Sequence, residues 1–222
     1  MTNKRPQTTH CVVFDLDGTL LDTLATVAAA HNQALAEHGY PAQPVDAYRY
    51  FIGNGARKCA ERSLPARARD DATIDAVTRS FQRIYDRAWR QDTQPYAGIP
   101  ELLNQLDGAY ALAVLSNKDD PFTRKIINHF FGDDLFDVVQ GHSEDVPHKP
   151  DPTGMHYISE QLGMPIDALM IVGDTRVDME TAVAAGVRGI GATWGFREAD
   201  ELTAAGAASL INHPAELTAL LA

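Results

Sequence analysis

Four short stretches hold the residues able to do chemistry. VVFDLDGTLLDT (12–23) ends an apolar run in Asp15 and Asp17, with Gly18 next. LSNK (115–118) sets Ser116 and Asn117 after a second apolar run. HKPDP (148–152) carries Lys149, and GDTRVD (173–178) carries Asp174 and Asp178 after a further run. Carboxylates that emerge from a buried strand are costly unless a cation or a hydrogen-bond donor meets them. If Asp15, Asp174 and Asp178 converge on one edge of a sheet, they repel unless a divalent cation sits among them. Mg²⁺ suits such a set, because it prefers hard oxygen ligands and commonly binds one or two carboxylates plus a substrate phosphate. Lys149, Ser116 and Asn117 supply the cationic and neutral donors a phosphate beside that metal would need.

The elements that must position these residues follow from the hydrophobic pattern. CVVF (11–14) is a short continuous apolar run, the mark of a strand buried on both faces. YALAVLS (110–116), FDVV (136–139), ALMIVG (168–173) and RGIGAT (188–193) repeat it, and ASLI (208–211) is a shorter candidate. Helical segments lie between most of these runs. Asp120 before Pro121 and Asp151 before Pro152 read as helix starts, while Gly163 and Gly186 read as helix ends. Strands alternating with helices imply an α/β fold, a doubly wound parallel sheet with helices on both faces. Ligands of such sheets bind beyond the carboxyl ends of the strands, where all four stretches fall.

Residues 22 to 94 interrupt the alternation. DTLATVAAAHNQALAEHG reads as a helix ending at Gly39, and Ile74, Val77, Phe81, Ile84, Tyr85 and Ala88 form one apolar helical stripe. No strand is evident there. The expected organisation is a catalytic α/β core at 1–21 and 95–222 with an inserted all-α domain at 22–94.

The composition, 45% hydrophobic and 22% charged over 222 residues, is that of a globular protein. Its net charge of −11 argues against nucleic acid and anionic membrane as partners. The charge is unevenly spread: residues 22–94 hold ten Lys and Arg against nine Asp and Glu, the remainder nine against 21. No run approaches the roughly 20 apolar residues of a membrane helix. The polar start MTNKRPQTTH lacks a signal-peptide core, and Cys11 and Cys59 make no disulfide framework. A cytoplasmic protein, monomeric or homodimeric, is expected.

Taken in order, DLDGTLLDT, LSNK, HKPDP and GDTRVD resemble the four motifs of the haloacid dehalogenase superfamily, and the match spans essentially the whole chain. A helical insert directly after the first motif resembles that superfamily's C1 cap. YFIGNGARKCAERSL (50–64) and PYAGIPELLNQL (95–106) are similar to segments of its phosphoglycolate phosphatases. The resemblance implies that Asp15 attacks phosphorus and forms an aspartyl-phosphate, while Asp17 acts as general acid and then base. It further implies that Asp15, the Asp17 carbonyl and Asp174 ligate Mg²⁺, with Asp178 holding a metal-bound water or Lys149. Ser116, Asn117 and the Gly18 amide would bind phosphate, and Lys149 would offset the charge of the transferring group. Gly53, Asn54, Gly55 and Arg57 would meet the substrate from the cap. His31, Asn32 and Lys118 are weaker candidates for lining a cleft, with a rim or helix-face position expected for each. The expected substrate is a small phosphomonoester, 2-phosphoglycolate first. Pyrophosphatase, nucleotidase or phosphosugar phosphatase or mutase activity, and non-catalytic phosphate binding, are the alternatives.

Overall fold

A computed structural model describes residues 9 to 221. Residues 1–8 of the polar N-terminal stretch, read above as lacking a signal-peptide core, lie outside the described residues. The strands are β1 (Cys11–Phe14), β2 (Leu21–Asp22), β3 (Gln94–Pro95), β4 (Ala111–Asp119), β5 (Val138–His142), β6 (Leu169–Gly173), β7 (Arg188–Ala192) and β8 (Ser209–Ile211). The helices are α1 (Leu24–Glu37), α2 (Tyr48–Phe51), α3 (Ala56–Ser63), α4 (Asp71–Ala88), α5 (Ile99–Leu106), α6 (Asp120–Phe131), α7 (Thr153–Leu162), α8 (Arg176–Ala185), α9 (Ala199–Ala204) and α10 (Leu217–Leu221). Among the described residues, no helix is long and apolar enough to cross a membrane.

Six strands form one sheet in the order β5-β4-β1-β6-β7-β8, and every pairing is parallel. β1 lies at the centre because its four residues are apolar on both faces and tolerate burial on both. The register aligns Phe14 with Val114 of β4 and Val172 of β6. The chain moves outward from β1 through β4 to β5, then returns to β1's other side as β6. The strand order therefore reverses at β1, and a crevice opens beyond its carboxyl end. On one face Cys11, Val13, Ala113, Leu115 and Ile171 pack against Met155 and Ile158 of α7 and Ala182 of α8.

The chain divides into two compact units, one running to Leu20 and resuming at Pro95, the other spanning Leu21 to Gln94. The second is helical apart from its ends. Its long helix α4 starts at Asp70, whose carboxylate accepts from the Thr73 amide (3.0 Å) and hydroxyl (2.8 Å). Ile74, Val77, Phe81, Ile84 and Tyr85 are buried along one face of α4, as the stripe predicts, and α1 packs beside it. His31 is buried with its ring stacked on Phe81 at 3.7 Å, and Asn32 bonds the Gln43 backbone and the Tyr48 hydroxyl. In the helical unit, these two therefore serve its interior.

Two helix starts differ from expectation. α6 begins at Asp120 itself, whose carboxylate accepts from the Gly141 amide at 2.9 Å and pairs with Arg124. A long-range partner on β5 has taken the oxygen that a cap would have used. α7 begins at Thr153, and Asp151 meets the Thr153 amide at 2.9 Å from just outside the helix. Gly163 and Gly186 close their helices in the left-handed conformation, as expected.

Candidate active site

Three neighbouring strands deliver the polar cluster. Asp15 follows the last residue of β1, and its amide donates to Val172 O of β6 at 2.9 Å. Ser116 to Lys118 lie at the end of β4, and Asp174 follows the last residue of β6. Lys149 arrives from the loop before α7. Its ammonium, 3% exposed, donates to Asp15 Oδ1 (2.8 Å), Asp178 Oδ1 (2.6 Å) and Leu115 O (2.9 Å). The Asn117 side chain fastens that loop, accepting from Lys149 N at 2.7 Å and donating to Lys149 O at 3.0 Å. All three ammonium protons are thus engaged inside the protein.

Asp178 occupies the third position of α8 in a reciprocal capping arrangement. Its Oδ2 accepts from the Thr175 amide (3.1 Å) and hydroxyl (2.7 Å) while Oδ1 holds Lys149. Both of its oxygens therefore carry hydrogen bonds from the protein. Asp174 is fully buried and is oriented by Thr19 Oγ1, donating to Oδ1 at 2.9 Å, and by the Phe196 amide, donating to Oδ2 at 2.7 Å. Trp194 Nε1 in turn donates to Thr19 O at 3.1 Å. Asp17 stands at the edge of the cluster, its Oδ2 3.0 Å from the Lys118 ammonium. The Ser116 hydroxyl, also buried, accepts from the Lys118 amide at 3.2 Å.

Close approach to Asp174 dictates two glycines. Gly18 has φ +91°, and a Cβ there would lie 2.2 Å from Asp174 Oδ2. A Cβ on Gly195 would lie 2.3 Å from Asp174 Cβ and 2.4 Å from Gly18 O. Sequence reading missed Thr19, Thr175, Gly195 and the Phe196 amide. Thr19 and Thr175 adjoin recognised motifs, and an N-cap search would have found Thr175. Nothing local marks Gly195 or Phe196.

The electrostatics call for a cation. Asp15, Asp174 and Asp178 each offer a carboxylate oxygen, all within 4.8 Å of one another. Burial, with Asp178 and Asp17 nearby, pushes the Asp15 carboxyl up to about 7 even against the opposing pull of Lys149. Asp174 is raised well above the ordinary range, by burial first and then by Asp15 and Asp178. Burial opposes charge on Lys149 as well, but Asp15 and Asp178 outweigh it and hold the amine protonated. A divalent cation among Asp15, Asp174 and Asp178 would offset the burial and mutual repulsion that raise Asp15 and Asp174. Hard oxygens on rigid strand ends suit such an ion.

Gly53, Asn54, Gly55 and Arg57 lie in the helical unit. Asn54 Oδ1 accepts from Arg62, whose guanidinium also meets Phe51 O, so the loop before α3 is tied down. Arg57 is half exposed and pairs with Asp71 at 2.5 Å and Asp75 at 2.8 Å.

The matches to known proteins agree with this geometry. Residues 12–192 match the model of the haloacid dehalogenase-like hydrolase family. A phosphoglycolate phosphatase of Yersinia pestis is 32% identical over 209 residues, covering 93% of this chain and 90% of that one. One from Nitrosospira multiformis is 32% identical over 197 residues, 87% of each chain. The crystal structure of a predicted phosphoglycolate phosphatase from Haemophilus somnus superposes with a TM-score of 0.88 at 25% identity, covering 98% of this chain and 99% of that one. A buried aspartate trio at the carboxyl edge of a parallel sheet, carried on a chain matched across nearly all of its length, leaves one assignment: the chain belongs to the haloacid dehalogenase-like hydrolase family.

Proposed function

We propose that the protein is a Mg²⁺-dependent phosphomonoester hydrolase that works through an aspartyl-phosphate on Asp15, with 2-phosphoglycolate as its preferred substrate. The observation that carries the reading is the buried lysine held between Asp15 and Asp178 beside Asp174. Its polypeptide relatives named as phosphoglycolate phosphatases support the substrate.

Asp15 attacks phosphorus as the ester bond breaks, and Asp17 gives its proton to the leaving oxygen. Asp17 then takes a proton from the water that cleaves the aspartyl-phosphate, which restores Asp15 and releases phosphate. Lys149 fixes the Asp15 carboxylate and supplies fixed positive charge near the transferring group. Ser116, Asn117 and the Gly18 amide orient the phosphate oxygens. Asp15, Asp174 and the Asp17 carbonyl would hold Mg²⁺, with Asp178 acting through Lys149. When bound, the ion offsets the charge of the carboxylates and of the substrate phosphate. Residues 22 to 94 serve as the substrate-selecting cap, with Gly53, Asn54, Gly55 and Arg57 as its contacts. For Arg57 this requires giving up Asp71 or Asp75 to pair with a substrate carboxylate. The chain's acidity fits an enzyme of small molecules rather than a nucleic-acid binder, and the reading is of a cytoplasmic enzyme, monomeric or homodimeric.

The test is Mg²⁺-dependent phosphate release from 2-phosphoglycolate, β-glucose 1-phosphate, pyrophosphate and nucleoside monophosphates, with Asp15→Asn beside the wild type. A lead of more than about tenfold in kcat/KM for 2-phosphoglycolate, about 1.4 kcal/mol in the transition state, together with a silent variant, sustains the reading. A lead for another ester changes the substrate, and equal activity of variant and wild type removes the mechanism.

A further inference from the structure

The Lys118 side chain is only 13% exposed, and its ammonium lies 3.0 Å from Asp17 Oδ2. Its backbone is held on both sides. The amide donates to Ser116 Oγ at 3.2 Å, and the carbonyl accepts from the buried Thr123 hydroxyl at 3.1 Å. The base of the side chain therefore cannot drift from the cluster. Asp17 Oδ1, in contrast, is buried and has no hydrogen-bond partner among the described residues. A buried carboxyl oxygen left in this state is costly, and it calls for a proton or a donor that arrives with the reaction.

Resting on the phosphatase reading above, we propose that Lys118 is a positioning residue that reserves Asp17 Oδ1 as the proton-carrying atom. An ammonium only donates, so the oxygen it occupies cannot also carry a proton directed at Lys118. A proton on Asp17 is thereby favoured on Oδ1, which leaves the more electron-rich oxygen facing the ammonium. In the first half-reaction the Oδ1 proton passes to the leaving oxygen as the phosphorus–oxygen ester bond breaks and the bond to Asp15 forms. In the second, Oδ1 accepts a proton from the attacking water as the aspartyl-phosphate bond breaks. Lys118 keeps its protons throughout and holds the carboxyl in one rotamer. Correct placement of the acid matters most when the leaving group is poor and needs its proton.

Leaving-group dependence separates this role from substrate binding and from simple support of the fold. The probes are p-nitrophenyl, phenyl and p-methoxyphenyl phosphates and ethyl phosphate, none of which carries a carboxylate for Lys118 to bind. Lys118→Met, with Lys118→Gln as a second variant, is expected to lower kcat/KM on ethyl phosphate by about 100-fold, at the low end of general acid catalysis, and on p-nitrophenyl phosphate by less than about threefold. The plot of log kcat/KM against leaving-group basicity steepens, as it does for Asp17→Asn. Lys118→Arg restores most of the loss. An equal loss on every ester, or none on any, overturns the proposal while leaving the phosphatase reading intact. Activity that survives Asp15→Asn overturns both.

Discussion

The two halves of the chain each place one cation between two aspartates, and burial separates the two arrangements. In the sheet unit Lys149 sits between Asp15 and Asp178 with exposures of 3%, 10% and 1%. In the helical unit Arg57 sits between Asp71 and Asp75, and these three groups are 50%, 89% and 48% exposed. The distances are nearly the same, so geometry does not distinguish them. Water screens the surface trio and contributes alternative partners, whereas the buried charges depend on one another and on fixed protein groups, Leu115 O for Lys149 and Thr175 for Asp178. Buried ions that a fold retains at such cost are candidates for chemistry, whereas exposed ones cost the fold little to keep.

Breaking the buried trio should have the largest effect. Lys149→Met leaves Asp15 and Asp178 facing each other, and is expected to lower stability by about 3–5 kcal/mol and to abolish phosphate release. Adding Asp178→Asn should recover part of the stability but none of the activity, as read by urea unfolding and a phosphate assay. Full retention of stability in the single variant would erase the contrast between the two trios.

Gly18→Ala comes next. Its methyl would enter the space of Asp174 Oδ2, and the backbone is left-handed there. Expected outcomes are a lowered Tm, a loss of about 1–3 kcal/mol, and weakened Mg²⁺ dependence of turnover. An unshifted Mg²⁺ titration would show that Asp174 does not help hold the ion.

A smaller effect concerns pH. The Asp15 carboxyl is raised to about 7, so its neutral form favours folding. That contribution is complete below about pH 4, the ordinary carboxyl range, and disappears as pH rises through 7. Mg²⁺ binds the ionised form, so the Tm gain on adding it should grow from pH 5.5 to pH 8. A gain independent of pH would argue against Asp15 as a ligand.

The smallest change is expected at Arg57. Arg57→Ala should leave Tm nearly unchanged, since the trio it breaks is solvated. If Arg57 pairs with a substrate carboxylate, KM for 2-phosphoglycolate rises while p-nitrophenyl phosphate is unaffected. Equal kinetics on both would assign Arg57 to the surface alone.

The strands and the motif residues at their ends were legible locally, because an apolar run long enough for burial and the polar residue ending it are neighbours in sequence. CVVF, ALMIVG and the αL glycines after α7 and α8 required no knowledge of the fold. Partner choice was decided elsewhere. The Thr19 hydroxyl meets Asp174 across 155 positions, and Lys149 meets Asp15 across 134. Asp120, which reads as a helix cap, bonds instead to Gly141 on a neighbouring strand. Lys118, which reads as a rim residue, reaches Asp17 across the junction of β1 and β4. Local sequence sets what each segment can form at a given burial. Which donor meets which acceptor depends on the parallel register of β4, β1 and β6, and only the folded sheet brings those strand ends together.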